Sequence, residues 1–327
     1  MSAILTKIKT MTENSDRNRK MAQKAGMGAY SIFRFLLLFG VGFIILYPML
    51  YMLSMSVRVE NEVYDAAVIW IPKTYTIENI KYAFTEMQYA KTFFSTAGLV
   101  LMSAVLQCVS CSLVGYGFAK FNFKFKGLLF ALVLFTLVVP AQTTTLSLFV
   151  NYTHFDFFGI GQLGKLFGEK AWDVSLLNTL WPHFIATISA SGIRAGLFVY
   201  MFRSYYTGLP AELEDAAYID GCGFFTTYLR VMWPNAGPIT LVTFLLTFVW
   251  YWNDYVQSAM IMNEFNLMSV MFSRLQSALS SMISPGSAQM TITMQAACLI
   301  YVLPILIMYC VLQRKFTESI VKSGIVG

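Results

Sequence analysis

Of the 327 residues, 57% are hydrophobic and only 12% charged, and the formal net charge is +6. A charged share about half the usual ~25% argues against an ordinary pair of soluble domains, because apolar runs of the ~20 residues needed to cross a bilayer core recur along the chain. The positive excess in such a chain belongs to membrane topology and not to nucleic-acid binding.

Residues 1–32 are polar and basic and are expected to form a loosely ordered tail. The first apolar run follows at 33–57 and is too long for the hydrophobic region of a cleavable signal peptide, so none is expected. Further runs lie at 93–118, 128–150, 181–202, 236–262 and 291–312. The expected fold class is therefore all-α integral membrane, with about six transmembrane helices. Pro48, Pro140 and Pro304 fall inside these runs, where neighbouring helices or water must re-satisfy the freed backbone groups.

Charge sets the orientation. Lys7, Lys9, Arg17, Arg19, Lys20, Lys24 and Arg34 precede or open the first run, Lys120, Lys124 and Lys126 follow the second, and Arg314, Lys315 and Lys322 follow the last. Acidic residues mark the alternate segments: Glu60, Glu62, Asp65, Glu78 and Glu86, then Asp156, Glu169 and Asp173. Both termini are then expected in the cytoplasm. The chain divides into a cytoplasmic tail at 1–32, a first transmembrane helix at 33–57, an extracytoplasmic segment at 58–92, a membrane core at 93–313 and a cytoplasmic tail at 314–327. A short surface helix is expected within "YTIENIKYAFTEM" at 75–87, and a partly buried one near "LMSVMFSRLQSAL" at 267–279.

Two apparent motifs carry no chemistry. "GIGQLGKL" (159–166) matches a glycine-rich phosphate loop, but Leu166 stands where a Ser or Thr must hold the metal, and no strand precedes it, so a turn is the better reading. Cys108 and Cys111 lie mid-span without a second ligand pair, and behave as small buried hydrophobes. None of the five cysteines lies in an outer segment, so no external disulfide is implied. His154 and His183 lack the partners of a catalytic site. No metal, no cofactor and no enzymatic activity are expected.

The loop at 209–234, "LPAELEDAAYIDGCGFFTTYLRVMWP", is sharply punctuated. Pro210 suits a first helical position, Glu212, Glu214 and Asp215 complement the helix dipole in the first turns, and Gly221 suits a left-handed C-terminal cap. A helix is expected over 210–220, with Leu213, Ala216 and Ala217 on one face. A second is expected over 224–233, with Phe225, Tyr228, Leu229 and Met232 as its apolar stripe and Pro234 ending it. An acidic helix is repelled by an anionic leaflet, which favours a protein partner over the lipid surface.

This loop resembles the EAA loop of permease subunits of ATP-binding cassette importers. Asp215-Ala216-Ala217 is followed by three residues and Gly221, and after nine more come Val231, Met232, Trp233 and Pro234. Asp215 replaces Glu, Val231 replaces Ile and Trp233 replaces Leu of that pattern. The stretches at 115–127, 138–149, 248–255 and 316–327 are similar to sugar-importer permeases related to the maltose transporter, and the likeness runs from about residue 30 to the end. It implies a type I importer permease fold in a prokaryotic plasma membrane. It also implies a second permease subunit, in a heterodimer, together with cytoplasmic ATP-binding subunits and an extracytoplasmic solute-binding protein. The loop would be the coupling helix, with Glu212, Glu214, Asp215, Ala216, Ala217, Asp220, Gly221 and Pro234 as its functional positions. Glu214 and Asp215 would meet basic groups of the ATPase.

For the translocation path, intramembrane ionisable groups are the first candidates. Arg194 lies mid-span and Asp254 in the outer part of the fifth run, at depths differing by roughly 8 Å. They are read as either cavity-lining groups or inter-helix locks. Trp250, Trp252, Asn253 and Tyr255 surround Asp254, and this mixture of rings and polar groups suits either a sugar or an interfacial belt. A permease for another solute, and an ion-driven secondary transporter, remain as alternatives.

Overall fold

The computed structural model describes residues 2–156 and 174–324. The "GIGQLGKL" stretch, Glu169 and Asp173 lie outside the described residues. Among those described the chain is helical, with two isolated β-bridges, Arg58 to Tyr75 and Phe155 to Val174, and no extended strand.

Helix α1 spans Ser2–Ser56. The tail expected to be loosely ordered is thus helical and continuous with the first apolar run. No proline precedes Pro48, and Lys, Met, Ala and Gln in the tail favour helix over coil. A connecting segment leads to α2 (Glu78–Glu86) and then α3 (Tyr89–Lys120), the longest of the interior helices. The connector is pinned by Arg58, which is buried and donates to the carbonyls of Val68 (3.0 Å) and Ile69 (2.7 Å) and to Ser54 Oγ (3.0 Å).

Three of the expected spans are interrupted. The run at 128–150 is two helices, α4 (Lys126–Val138) and α5 (Ala141–Thr153), bent by 107°. Pro140 causes this: it offers no N–H and drives Val139 out of the helical region (ψ 121°). The run at 181–202 is α6 (Trp181–Ile188) and α7 (Ala195–Gly208), separated at 189–194, where Ala190 and Arg194 take positive φ (52° and 57°). The run at 236–262 is α10 (Gly237–Asn253) and α11 (Val256–Ile261). Before α10 come α8 (Glu212–Ile219) and α9 (Phe224–Asn235), and α9 meets α10 at 76°. The chain closes with α12 (Met268–Met282) and α13 (Ala288–Gly324).

Among the described residues, three helices are long and apolar enough to cross a membrane: Tyr30–Ser56, Tyr89–Lys120 and Ala288–Lys315. The total is five if each bent pair, α4 with α5 and α9 with α10, is one span. About six spans are expected from hydropathy, and the breaks within three of those runs go unseen there because an average over a window does not register a break.

Helix α3 is the spine, packed on α7 along one side and α10 along another. Close approach to α7 needs Gly115: a Cβ there would stand 2.6 Å from Phe202 Cβ and 3.0 Å from the Arg203 nitrogen. One apolar core joins α2, α3, α10, α12 and α13 around Val100, Phe248, Trp252, Met268, Leu279 and Ala296, and a second joins α3, α7 and α9 around Tyr116, Phe198, Phe202 and Met232.

The break at 189–194 is held by side chains. Gln107 Nε2 of α3 donates to the Ile193 carbonyl (2.8 Å), and the Ile193 N–H donates to Tyr251 Oη of α10 (3.2 Å). A Cβ on Gly192 would lie 2.5 Å from both Gln107 Oε1 and Tyr251 Oη. Gly192→Ala should therefore destabilise the protein by about 1–3 kcal/mol, the usual cost of overpacking. A lowered midpoint of thermal unfolding in detergent is the expected reading. An unchanged midpoint would show that Gln107 and Tyr251 yield freely and do not clamp the break.

Candidate functional site

The loop between α7 and α10 presents a short, rigidly ended helix. Glu212, Glu214 and Asp215 fill the first turn of α8, where the unpaired N–H groups and dipole favour negative charge. At the other end Gly221 takes φ +79°, its N–H reaches Tyr218 O (3.0 Å), and the Cys222 N–H reaches Ala217 O (2.9 Å). This paired closure satisfies carbonyls that a helix end otherwise leaves open.

The side chains of α8 divide sharply. Glu212, Asp215, Ala216 and Asp220 are exposed, with Tyr218 and Ile219, and Ile219 is 85% exposed. Ala217 is buried, so of the two alanines only Ala216 leaves bare backbone for an approaching surface. Glu214 is also buried, 8% exposed, which corrects the expectation that it meets an external partner. Its Oε1 accepts from Tyr116 Oη (2.6 Å) and its Oε2 lies 2.8 Å from Lys120 Nζ, both on α3. The helical period puts Leu213, Glu214 and Ala217 on one side; the spacing alone does not tell which side faces the protein.

Tyr116 is the centre of the packing beneath the loop. Its ring stacks on Phe224 (centroids 5.3 Å apart) and contacts Tyr206 (5.3 Å), Tyr228 (5.1 Å) and Phe121 (6.4 Å). Ser112 Oγ is hydrogen-bonded to Tyr206 Oη (2.6 Å) and accepts from Tyr228 Oη (3.1 Å). Sequence reasoning missed Ser112, Tyr116, Lys120 and Tyr206. The available signal was the spacing of Ser112, Tyr116 and Lys120, four residues apart on one face of α3.

Pro234 does not end α9. It lies within Trp233–Asn235, after a π-helical turn at Tyr228–Met232, and the bend comes at Ala236. The wider turn accommodates the residue that offers no N–H, and Asn235 Nδ2 supplies a donor to Val231 O (2.7 Å).

The intramembrane candidates are scattered. Arg194 is exposed at the N-terminus of α7, in the break and not within a continuous helix, and it forms no ion pair with Asp254 among the described residues. Asp254 caps α11, accepting from Gln257 N (3.3 Å), Ser258 N (3.0 Å) and Ser258 Oγ (2.8 Å). That local competition with the backbone is why the expected helix breaks there. Trp252 is 1% exposed, stacked on Phe248 (5.6 Å), with Nε1 donating to Tyr301 O (3.3 Å), so it belongs to the core and not to a solute path. Trp250 is half-buried against Phe198 (5.4 Å). Asn253 and Tyr255 are exposed, and Asn253 Oδ1 accepts from Tyr301 Oη (3.2 Å). Arg203, which sequence reasoning also passed over, lies 4.0 Å from the centre of the Phe130 ring and ties α7 to α4. Among the described residues no group of three or more His, Cys, Asp or Glu is arranged to hold a metal.

Residues 111–320 match the family described as binding-protein-dependent transport system inner membrane component. The chain is 27% identical over 290 residues to the arabinooligosaccharides transport system permease protein AraQ of Halalkalibacterium halodurans, covering 88% of this chain and 93% of that protein. It is 25% identical to the maltodextrin transport system permease protein MdxG of Bacillus subtilis (87% and 92% covered), and 23% identical to the lactose transport system permease protein LacG of Rhizobium radiobacter (86% and 91%). In fold it is similar to a chain in the crystal structure of a bacterial ABC transporter involved in the import of the acidic polysaccharide alginate. That likeness has a TM-score of 0.65 at 17% identity, over 88% of this chain and 96% of the other.

The geometry at Gly221 makes a direct prediction. A β-branched side chain at φ +79° is strained, so Gly221→Val should cost about 1–2 kcal/mol and loosen the end of α8. Faster limited proteolysis within 219–223, with the rest of the chain still resistant, is the expected result; unchanged protection would show that the cap is dispensable.

Proposed function

We propose, because the chain belongs to the binding-protein-dependent transport system inner membrane component family, that it is the permease subunit of an ATP-binding cassette importer for a sugar or oligosaccharide. Membership makes it a multi-pass membrane component that works with a solute-binding protein and an ATPase. Transport, and no chemical reaction, is the work of this chain. The assignment of a sugar is supported by relatives whose names specify arabinooligosaccharides, maltodextrin and lactose transport.

Helix α8 is the segment that enters the ATPase. The observation that carries this reading is its two-sided construction: Glu214 and Ala217 are turned into the protein, while Glu212, Asp215, Ala216 and Asp220 are free on the outside beside Ile219. An acidic rim around an apolar tip suits a cleft with basic edges and an apolar floor, and its charges speed and orient docking. The Gly221 closure and the tie to α3 make the helix a stiff lever, so closure of the ATPase pair would drive the membrane helices between inward- and outward-open states. A second permease completes the path in a heterodimer, and both termini lie on the ATPase side. Arg194, Asn253, Asp254 and Tyr255 remain the candidates for lining that path, Trp250 and Trp252 serving as packing.

Charge reversal tests the docking face. Glu212→Lys combined with Asp215→Lys should leave the chain in the membrane but lower the ATPase retained on purified membrane subunits by about tenfold, the scale of losing ~1.4 kcal/mol of binding. Full retention would remove these carboxylates from the docking surface. For the solute, the binding protein recovered with the assembly should retain a sugar when its ligand is identified by mass spectrometry; an amino acid or inorganic anion in its place would reject the carbohydrate assignment.

A further inference from the structure

We propose that Lys120 and Tyr116 are positioning residues for energy coupling: they grip Glu214 and thereby fasten α8 to the end of α3, which makes α3 the element that the docked helix moves. The inference rests on the reading of α8 as the coupling helix, and it adds where the force goes next.

Of the four carboxylates on and beside α8, three are exposed and one is gripped. Both oxygens of Glu214 are engaged by different donors, the Tyr116 hydroxyl at 2.6 Å and the Lys120 ammonium at 2.8 Å. Two donors on two oxygens fix the carboxylate in rotation as well as in distance. The pair is also shielded, the side chains of Lys120 and Glu214 being 19% and 11% exposed, so solvent weakens it far less than a surface pair.

Besides this grip, α8 is held by its packing on α9 and by the connectors on either side of it. On one side Leu209 and Pro210 lie between helices; on the other Gly221, Cys222 and Gly223 do, with Gly221 in the left-handed region. The grip bypasses both and reaches the last turn of a 32-residue helix. That helix packs along α7 and α10, and its Gln107 holds the Ile193 carbonyl in the interrupted span. A displacement entering at Lys120 therefore arrives at the helices that surround the break.

The test uses the whole transporter, with its partner permease, ATP-binding subunits and binding protein, in proteoliposomes. Lys120→Met and Glu214→Gln are compared singly and together, with Lys120→Arg as the conservative control, and ATP hydrolysed per solute moved is read beside ATPase retention. Lys120→Met should retain the ATPase at the wild-type ratio yet raise ATP used per solute about fivefold or more, the low end of coupling between sites. The double variant should be no worse than the single ones, because one interaction is lost once, and Lys120→Arg should stay near wild type. An unchanged ATP-to-solute ratio in Lys120→Met, or multiplying effects in the double variant, overturns the proposal. If Lys120→Met does not accumulate, Lys120→Met with Glu214→Leu removes both charges, and either normal coupling or failure to accumulate in that variant overturns it too. Failure of wild-type chain to retain any ATPase would instead strike the permease reading on which the proposal stands.

Discussion

Inside a bilayer no water completes a broken helix, so every interruption must be closed by groups the protein carries itself. That constraint orders this structure. The chain interrupts its apolar runs near Pro140, across 189–194, at Ala236 and at Asp254, and side chains bond backbone groups beside each of these breaks. Thr143 Oγ1 donates back to Pro140 O (2.7 Å), Gln107 and Tyr251 bracket Ile193, Asn235 serves Val231, and Asp254 serves Gln257 and Ser258. Gln107 of α3 and Tyr251 of α10 are thus explained by the break they face. Each unpaired backbone group would otherwise cost several kcal/mol in hydrocarbon.

The same requirement explains why α3 dominates the packing. It is unbroken, it lies between α7 and α10, and it offers polar groups at successive turns: Gln107 to the interruption, Ser112 to two tyrosines, Tyr116 and Lys120 to Glu214. A straight element with polar attachments at both the break and the loop is suited to carry displacement between them.

What the sequence made legible follows from chemistry that acts locally. Apolar runs reveal a membrane protein because hydrocarbon thickness sets a minimum length, and Pro210, the acidic first turn and Gly221 delimit α8 because helix ends have fixed needs. The face of α8 was not legible. Spacing groups Leu213, Ala216 and Ala217, but only the position of α3 decides that Glu214 turns inward and Ala216 outward. Nor were the breaks legible from hydropathy, since Ser, Ala and Gly at 189–192 barely lower the average that defines a span. Asp254 shows that a residue that costs energy in a membrane can also serve its own backbone: its partner Ser258 stands four residues on, the spacing of a local cap.

Arg58 and Lys120 differ in how their charge is held. Arg58, in the connector between α1 and α2, is satisfied by neutral acceptors, the carbonyls of Val68 and Ile69 and the hydroxyl of Ser54, so its charge is spread over a loop that it staples shut. Lys120, the last residue of α3, meets a full carboxylate on a separate helix. A guanidinium spread over carbonyls fixes a segment within itself, because no single contact releases the rest. The Glu214 carboxylate, held at one oxygen by Lys120 and at the other by Tyr116, joins two bodies at one clamped point. The first arrangement closes a segment on itself, and the second fastens α8 to the last turn of α3.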